Sequence, residues 1–132
     1  MPNSDPVNIL LVDDRLDGLF TLEAVLKCPR YNLVKATSGR EALAAILQYD
    51  FAVILLDVQM PGMDGYEATR RLREIAPELP VIGQTAHAMF DDRQRCLDSG
   101  MVDYLAKPVD VEALVEALLK HTAGWRARTR PP

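Results

Sequence analysis

Phe51-Ala-Val-Ile-Leu-Leu-Asp57 is the most apolar stretch of the chain, six residues without a polar side chain closed by a carboxylate. A run of this kind, with no alternation, predicts a strand buried on both faces, as in the interior of a parallel sheet. Val58-Gln-Met-Pro-Gly-Met-Asp-Gly65 follows at once, and its Pro and two Gly take the chain out of the sheet as a loop. Asp57 is thereby raised to the rim of the sheet, where open α/β architectures place their ligand sites.

The rest of the chain alternates in the same way. Asn8 to Val12 is a short apolar strand ending at Asp13-Asp14. Leu19, Leu22, Val25 and Leu26 carry helical spacing through Leu16 to Leu26, closed by Pro29. Tyr31 to Ala36 alternates weakly and reads as a more exposed strand. Ser38-Gly-Arg-Glu41 has capping-box spacing and opens a helix to about Gln48. Beyond the Asp57 strand, Tyr66 to Ile75 is an amphipathic helix and Val81 to Thr85 a fourth strand. Ala88 to Ser99 is a fourth helix, stopped by Gly100. Val102 to Ala106 is a fifth strand, and Asp110 caps a last helix to about His121. Strict βα alternation predicts a parallel sheet with helices on both faces and right-handed crossovers. Five strands of this length suit the order 2-1-3-4-5, in which strands one and three are neighbours.

Composition adds bounds. A chain of 132 residues, 48% hydrophobic and 26% charged, is one globular domain with a single core. Residues 7–122 form that domain; residues 1–6 are expected to be disordered and residues 123–132 a basic tail or linker. A net charge of -4 carries no electrostatic footprint for nucleic acid. Cys28 and Cys96 lack metal-ligand spacing and read as reduced thiols. No signal-peptide pattern and no apolar run of about 20 residues occurs, which points to a soluble, cytoplasmic domain without membrane contact.

The sheet order brings Asp13, Asp14 and Asp57 to one rim, with Thr85 and Lys107 at the ends of strands four and five. Crowded carboxylates repel unless some stay protonated or a cation neutralises them. An oxygen-only donor set suits Mg²⁺, or Mn²⁺, with phosphate oxygens completing the shell. An Asp carboxylate is itself a competent nucleophile toward phosphorus. Lys107 supplies a positive charge for a phosphoryl oxygen and Thr85 a hydroxyl donor. All parts of phosphoryl transfer onto Asp57 are present.

Ile-Leu-Leu-Val-Asp13-Asp14, Leu-Leu-Asp57-Val-Gln-Met-Pro61-Gly-Met-Asp-Gly65, Thr85-Ala86 and Tyr104-Leu-Ala-Lys107-Pro108 strongly resemble the receiver domains of two-component response regulators. The resemblance runs from about Val7 to His121 and is strongest to receivers attached to hybrid sensor histidine kinases. It implies an α/β, flavodoxin-like (βα)5 three-layer sandwich and a bacterial phosphorelay role. Asp57 would accept phosphate from a sensor histidine kinase or a histidine phosphotransfer protein. Asp14, Asp57 and the backbone carbonyl of Gln59 would hold the metal, with Asp13 acting through a bound water. Lys107 would pair with the phosphate ahead of a cis Lys107-Pro108 bond. Thr85 and Tyr104 would form the switch pair, and the fourth helix, fifth strand and last helix the output face. The domain would be a signalling phosphoacceptor, not a turnover enzyme, and a monomer or weak phosphorylation-dependent dimer, with no direct nucleic-acid contact.

Several residues depart from that pattern or invite other readings. Gln59 and His87 stand two residues beyond Asp57 and Thr85, where they would tune the lifetime of the phosphate. His87 and His121 read as off-site residues, and Arg15 as a neighbour able to modulate the pocket. Gly83-Gln84 interrupts the aliphatic pattern of the fourth strand. Asp64 and Gly65 read as turn and helix start. A haloacid-dehalogenase-like phosphatase also uses an aspartyl nucleophile, but its Asp-x-Asp is replaced here by Asp13 and Arg15. A flavodoxin-like or nucleotide-binding module lacks its phosphate loop, since neither a Gly-x-Gly-x-x-Gly nor a Walker motif occurs. Arg126, Arg128 and Arg130 read as linker more than as a DNA-reading arm.

Overall fold

A computed structural model describes residues 7–60, 62–86 and 90–122 of the chain. Five strands alternate with five helices: β1 Val7–Val12, α1 Leu16–Leu26, β2 Tyr31–Ala36, α2 Gly39–Gln48, β3 Val53–Asp57, α3 Gly65–Ile75, β4 Val81–Thr85, α4 Phe90–Ser99, β5 Asp103–Ala106 and α5 Val111–Thr122. All strand pairs are parallel and the sheet order is β2-β1-β3-β4-β5. The expected architecture is the observed one.

The central strand accounts for the layering. Each residue of β3 is buried, because successive side chains point to opposite faces and both faces are covered. Val53 and Leu55 join Leu19 and Leu22 of α1 and Leu114 and Leu118 of α5 in one core. Ile54 and Leu56 join Ala42 of α2, Leu72 of α3 and Cys96 of α4 in the other. Edge strand β2 is only partly buried, as its weak alternation predicts.

Boundaries shift by a residue or two for local reasons. Phe51 and Ala52 are buried but precede the ladder, which begins at Val53 opposite Ile9. β1 starts at Val7, which pairs with Tyr31, and β5 starts at Asp103, which pairs with Ile82. Ser38 caps α2 by accepting from Glu41 N at 3.1 Å, but Glu41 reaches past Ser38 to the N–H and hydroxyl of Thr37. Asp64 caps α3 by accepting from Glu67 N at 2.9 Å, and Asp110 accepts from Ala113 N at 3.0 Å. Gly100 ends α4 at φ +108°, with bonds from Gly100 N to Leu97 O and from Met101 N to Cys96 O, the paired pattern of a Schellman stop. Residues 1–6, the tail from 123, Pro61, His87 and the expected helix start at Ala88 lie outside the described residues. No described helix is long and apolar enough to cross a membrane.

Candidate functional site

Side-chain parity aims one set of strand-end residues at a common point. Asp13 continues the Ile9, Leu11 series of β1, Asp57 the Val53, Leu55 series of β3, and Lys107 follows Leu105 of β5. All three series face α1 and α5. The carboxyl rim of the sheet therefore gathers Asp13 and Asp57 under Lys107. Lys107 Nζ lies 3.2 Å from Asp13 Oδ2 and 3.3 Å from Asp57 Oδ1.

Asp13 and Asp57 are 1% and 4% exposed, whereas Asp14 faces solvent. One carboxylate oxygen from each of the three lies within 4.8 Å of the others. Backbone donors hold the two buried carboxylates in place. Arg15 N donates to Asp13 Oδ1 at 3.0 Å, and Gln59 N donates to Asp57 Oδ1 at 3.2 Å. The loop after Asp57 is pinned by buried Val58 and Met60, which leaves Gln59 between them exposed. Gly65 N donates to Val58 O at 3.0 Å and closes that loop onto α3. On the other side, Lys107 N donates to Thr85 O at 2.8 Å, and the Lys107-Pro108 bond is cis, as expected.

The charges are unbalanced: three carboxylates face one ammonium. Burial, only partly offset by Lys107 and reinforced by Asp13, raises the Asp57 carboxyl from 3.8 to about 6. Burial works against the Lys107 charge, but Asp57 and Asp13 outweigh it and hold its pKa above the ordinary value. Excess negative charge in an oxygen-only cluster is the donor chemistry of a hard divalent cation. Asp13, Asp14 and Asp57 fit that group.

The expected switch residues occupy the opposite face of the sheet. Tyr104 pairs with Gly83 and Thr85 with Ala106, so Thr85 and Tyr104 stand diagonally on adjacent strands. Thr85 is buried and Tyr104 half-buried, with the Arg93 guanidinium 5.9 Å from the Tyr104 ring centre. Thr85, Gln59, Asp64, Tyr66 and Arg95 border a depression of about 430 Å³ beside the rim, and Arg95 lies 4.2 Å from the Tyr66 ring centre.

Other flagged residues fall elsewhere. His121 meets Asp103 at 3.2 Å, at the start of β5 and so at the far end of the sheet. Arg15 is exposed and leans on Asp17 at 3.4 Å. Cys28 is exposed and Cys96 buried, both as free thiols. Gly83 proves to be a packing position, since a β-carbon there would lie 2.5 Å from Met101 Sδ.

Sequence reasoning missed two residues of the site. A β-carbon at Gly18, in the first turn of α1, would lie 2.5 Å from Asp13 Oδ2. Its absence lets the helix close over that carboxylate. An isolated Gly inside a helical pattern was the available signal. Gln84, noted only as an interruption, is 1% exposed, and its Nε2 has no hydrogen-bond partner.

Comparison with known proteins accords with this geometry. The chain is 40% identical over 116 residues to the sensor histidine kinase RcsC of Salmonella typhi, covering 88% of this chain and 12% of that protein. It is 39% identical over 119 residues to the sensor protein GacS of Pseudomonas syringae pv. syringae, covering 86% of this chain and 13% of that one. The chain thus spans about an eighth of the length of these relatives. The receiver domain of the sensor histidine kinase PA1611 from Pseudomonas aeruginosa PAO1, solved with a magnesium ion coordinated in its active site cleft, shares the fold at a TM-score of 0.82. That structure is 35% identical and covers 90% of this chain and 99% of its own. Residues 9–119, from inside β1 to inside α5, match the response regulator receiver domain model, and the chain belongs to that family.

Proposed function

We propose that Asp57 is the phosphoacceptor of a two-component or phosphorelay system. The observation that carries this reading is the meeting of Asp57 with Asp13, Asp14 and the Lys107 ammonium at one rim. Asp13, Asp14 and Asp57, with the backbone carbonyl of Gln59, would hold Mg²⁺ or Mn²⁺. That cation would supply positive charge against the carboxylates and the incoming phosphoryl oxygens. The magnesium in the PA1611 receiver supports the same assignment here.

Above about pH 6 the Asp57 carboxyl is ionised and nucleophilic. A carboxylate oxygen attacks phosphorus as the phosphorus–nitrogen bond of a phosphohistidine breaks, and the electron pair leaves with the imidazole. Lys107 neutralises a phosphoryl oxygen, and the Thr85 hydroxyl donates to another. The new group carries nearly two negative charges and three acceptor oxygens. Its contacts favour one arrangement of the Thr85 and Tyr104 pair, which shifts the surface formed by α4, β5 and α5. Moving such an equilibrium from 1:99 to 99:1 takes about 5.5 kcal/mol of differential interaction. The donor is a sensor histidine kinase or a histidine phosphotransfer protein. The similarity to RcsC and GacS supports a place within a longer hybrid kinase, and a role limited to its own phosphorylation and dephosphorylation.

The test is incubation with acetyl phosphate and Mg²⁺ followed by intact mass. A gain of one phosphoryl group is expected, requiring Mg²⁺ and lost in Asp57→Asn. Equal labelling of the variant would overturn the assignment.

A further inference from the structure

Arg95 stands in the middle of α4, yet its guanidinium lies 4.2 Å from the centre of the Tyr66 ring in the first turn of α3. A cation within about 6 Å of a ring centre is attracted by the negative face of the ring. Both partners are held in place for this contact. Tyr66 is 6% exposed and shares a core with Cys96, the neighbour of Arg95. Among the described residues no carboxylate pairs with Arg95, so none competes with the ring for its charge. A separate contact ties the far ends of the two helices, where Arg73 Nη1 donates to Gly100 O at 3.5 Å.

The start of α3 sits directly on the backbone of the acceptor. Gly65 N donates to Val58 O at 3.0 Å, and a β-carbon at Gly65 would lie 2.5 Å from Val58 Cα and 2.6 Å from Asp57 O. Thr69 Oγ1 donates to Gly65 O at 2.7 Å and fixes the first turn. The loop between Val58 and Gly65 carries Gln59, whose N–H holds Asp57 Oδ1 at 3.2 Å. Any tilt of that turn therefore moves the backbone that carries and orients Asp57. Tyr66 is the next residue along, so the Arg95 contact presses on this turn from α4.

We propose that Arg95 and Tyr66 are positioning residues for the acceptor loop: their stack clamps the segment from Asp57 to Gly65 and ties α4 to the rim by a route that bypasses Thr85 and Tyr104. The inference rests on the reading of the rim as a divalent-cation and phosphoryl site. Two roles for Arg95 differ in sign. As a bare positive charge it repels a cation at the rim, and its removal would tighten Mg²⁺ binding. As a clamp it keeps the loop in its binding geometry, and its removal weakens Mg²⁺ binding. One cation–π contact at an exposed site is worth about two- to fivefold in an equilibrium constant.

The test uses the full chain, first without metal and then with Mg²⁺. In the metal-free chain, amide hydrogen exchange at Gly65 should run about two- to fivefold faster in Arg95→Met and in Tyr66→Leu. Exchange at Leu55 of β3 should be unchanged and reports that the fold is intact. Mg²⁺ titration followed by amide NMR should show affinity weakened by the same factor in each variant. The double variant should lose no more than either single one, because the two residues make one contact. Arg95→Lys, which keeps a cation for the ring, should retain most of the affinity, and Arg73→Ala should leave it unchanged. The proposal is overturned if Gly65 exchange is unaltered, if Arg95→Met binds Mg²⁺ as tightly as the wild type or more tightly, if the two losses add, or if Arg73→Ala has the same effect. A wild type that binds no Mg²⁺ would instead sink the reading of the rim, and Gly65 exchange would still decide the clamp. Arg95 is exposed, so Arg95→Met decides the matter even if Tyr66→Leu folds poorly.

Discussion

Replacing the acceptor itself is expected to stabilise the metal-free domain. Asp57 titrates at about 6 in the folded chain against 3.8 for the free side chain, because burial and the neighbouring Asp13 outweigh the attraction of Lys107. A carboxyl whose folded pKa is raised keeps its proton longer in the native state than in the unfolded one. Native stability therefore falls as pH rises from about 4 to about 6, and stays reduced above that window. A gap of about two pK units corresponds to about 3 kcal/mol at pH 7.5. Asparagine has the shape of the protonated acid and carries no charge, so Asp57→Asn escapes this loss. Urea unfolding in the presence of EDTA should show the variant more stable by about 2–3 kcal/mol at pH 7.5, a midpoint shift of roughly 1–2 M. At pH 3.5 the two proteins should unfold together. Mg²⁺ should then stabilise the wild type more than the variant. A variant no more stable than the wild type at pH 7.5, or one with an equal advantage at pH 3.5, would refute this account of the rim.

Gly18→Ala should weaken Mg²⁺ binding by at least about tenfold in calorimetric titration, because the new methyl presses on Asp13 Oδ2. Its fold should survive, since Ala gains about 1 kcal/mol of helix propensity over Gly, and unchanged affinity would contradict the close approach. Gly100→Ala should cost about 1–2 kcal/mol in urea unfolding, because φ +108° is strained for any residue with a β-carbon. Thr85→Ala should still take up phosphate from acetyl phosphate but lose the phosphorylation-dependent shifts of the α4, β5 and α5 amides. Unchanged shifts would remove Thr85 from the switch.

The legible and illegible parts of this protein divide along a physical line. Strand β3, the capping residues Asp64 and Asp110, and the Gly100 stop were readable because each depends on neighbours within a few residues: an unbroken apolar run, a side chain reaching the first turn, a backbone angle only Gly adopts freely. The sheet order and the carboxylate rim were also within reach, since strict βα alternation leaves few topologies and strand ends converge in all of them. Family resemblance then supplied roles for the rim residues that spacing alone leaves open.

What tertiary structure alone decided is how groups distant in the chain meet. Lys107 reaches Asp13 across 94 positions, and the Asp57 pKa is raised only because burial and the neighbouring Asp13 outweigh the attraction of Lys107 at one point. Gly18 looked like a flaw in a helix, and only the seating of α1 on β1 reveals that it makes room for Asp13. Gln84 looked like a break in an aliphatic strand, and only the folded packing around β4 leaves its Nε2 buried without a hydrogen-bond partner. Propensity and periodicity are properties of short segments, so the sequence by itself determined the elements and their order. Close approach, desolvation and an unmet hydrogen bond are properties of three-dimensional packing, so only the folded chain decided them.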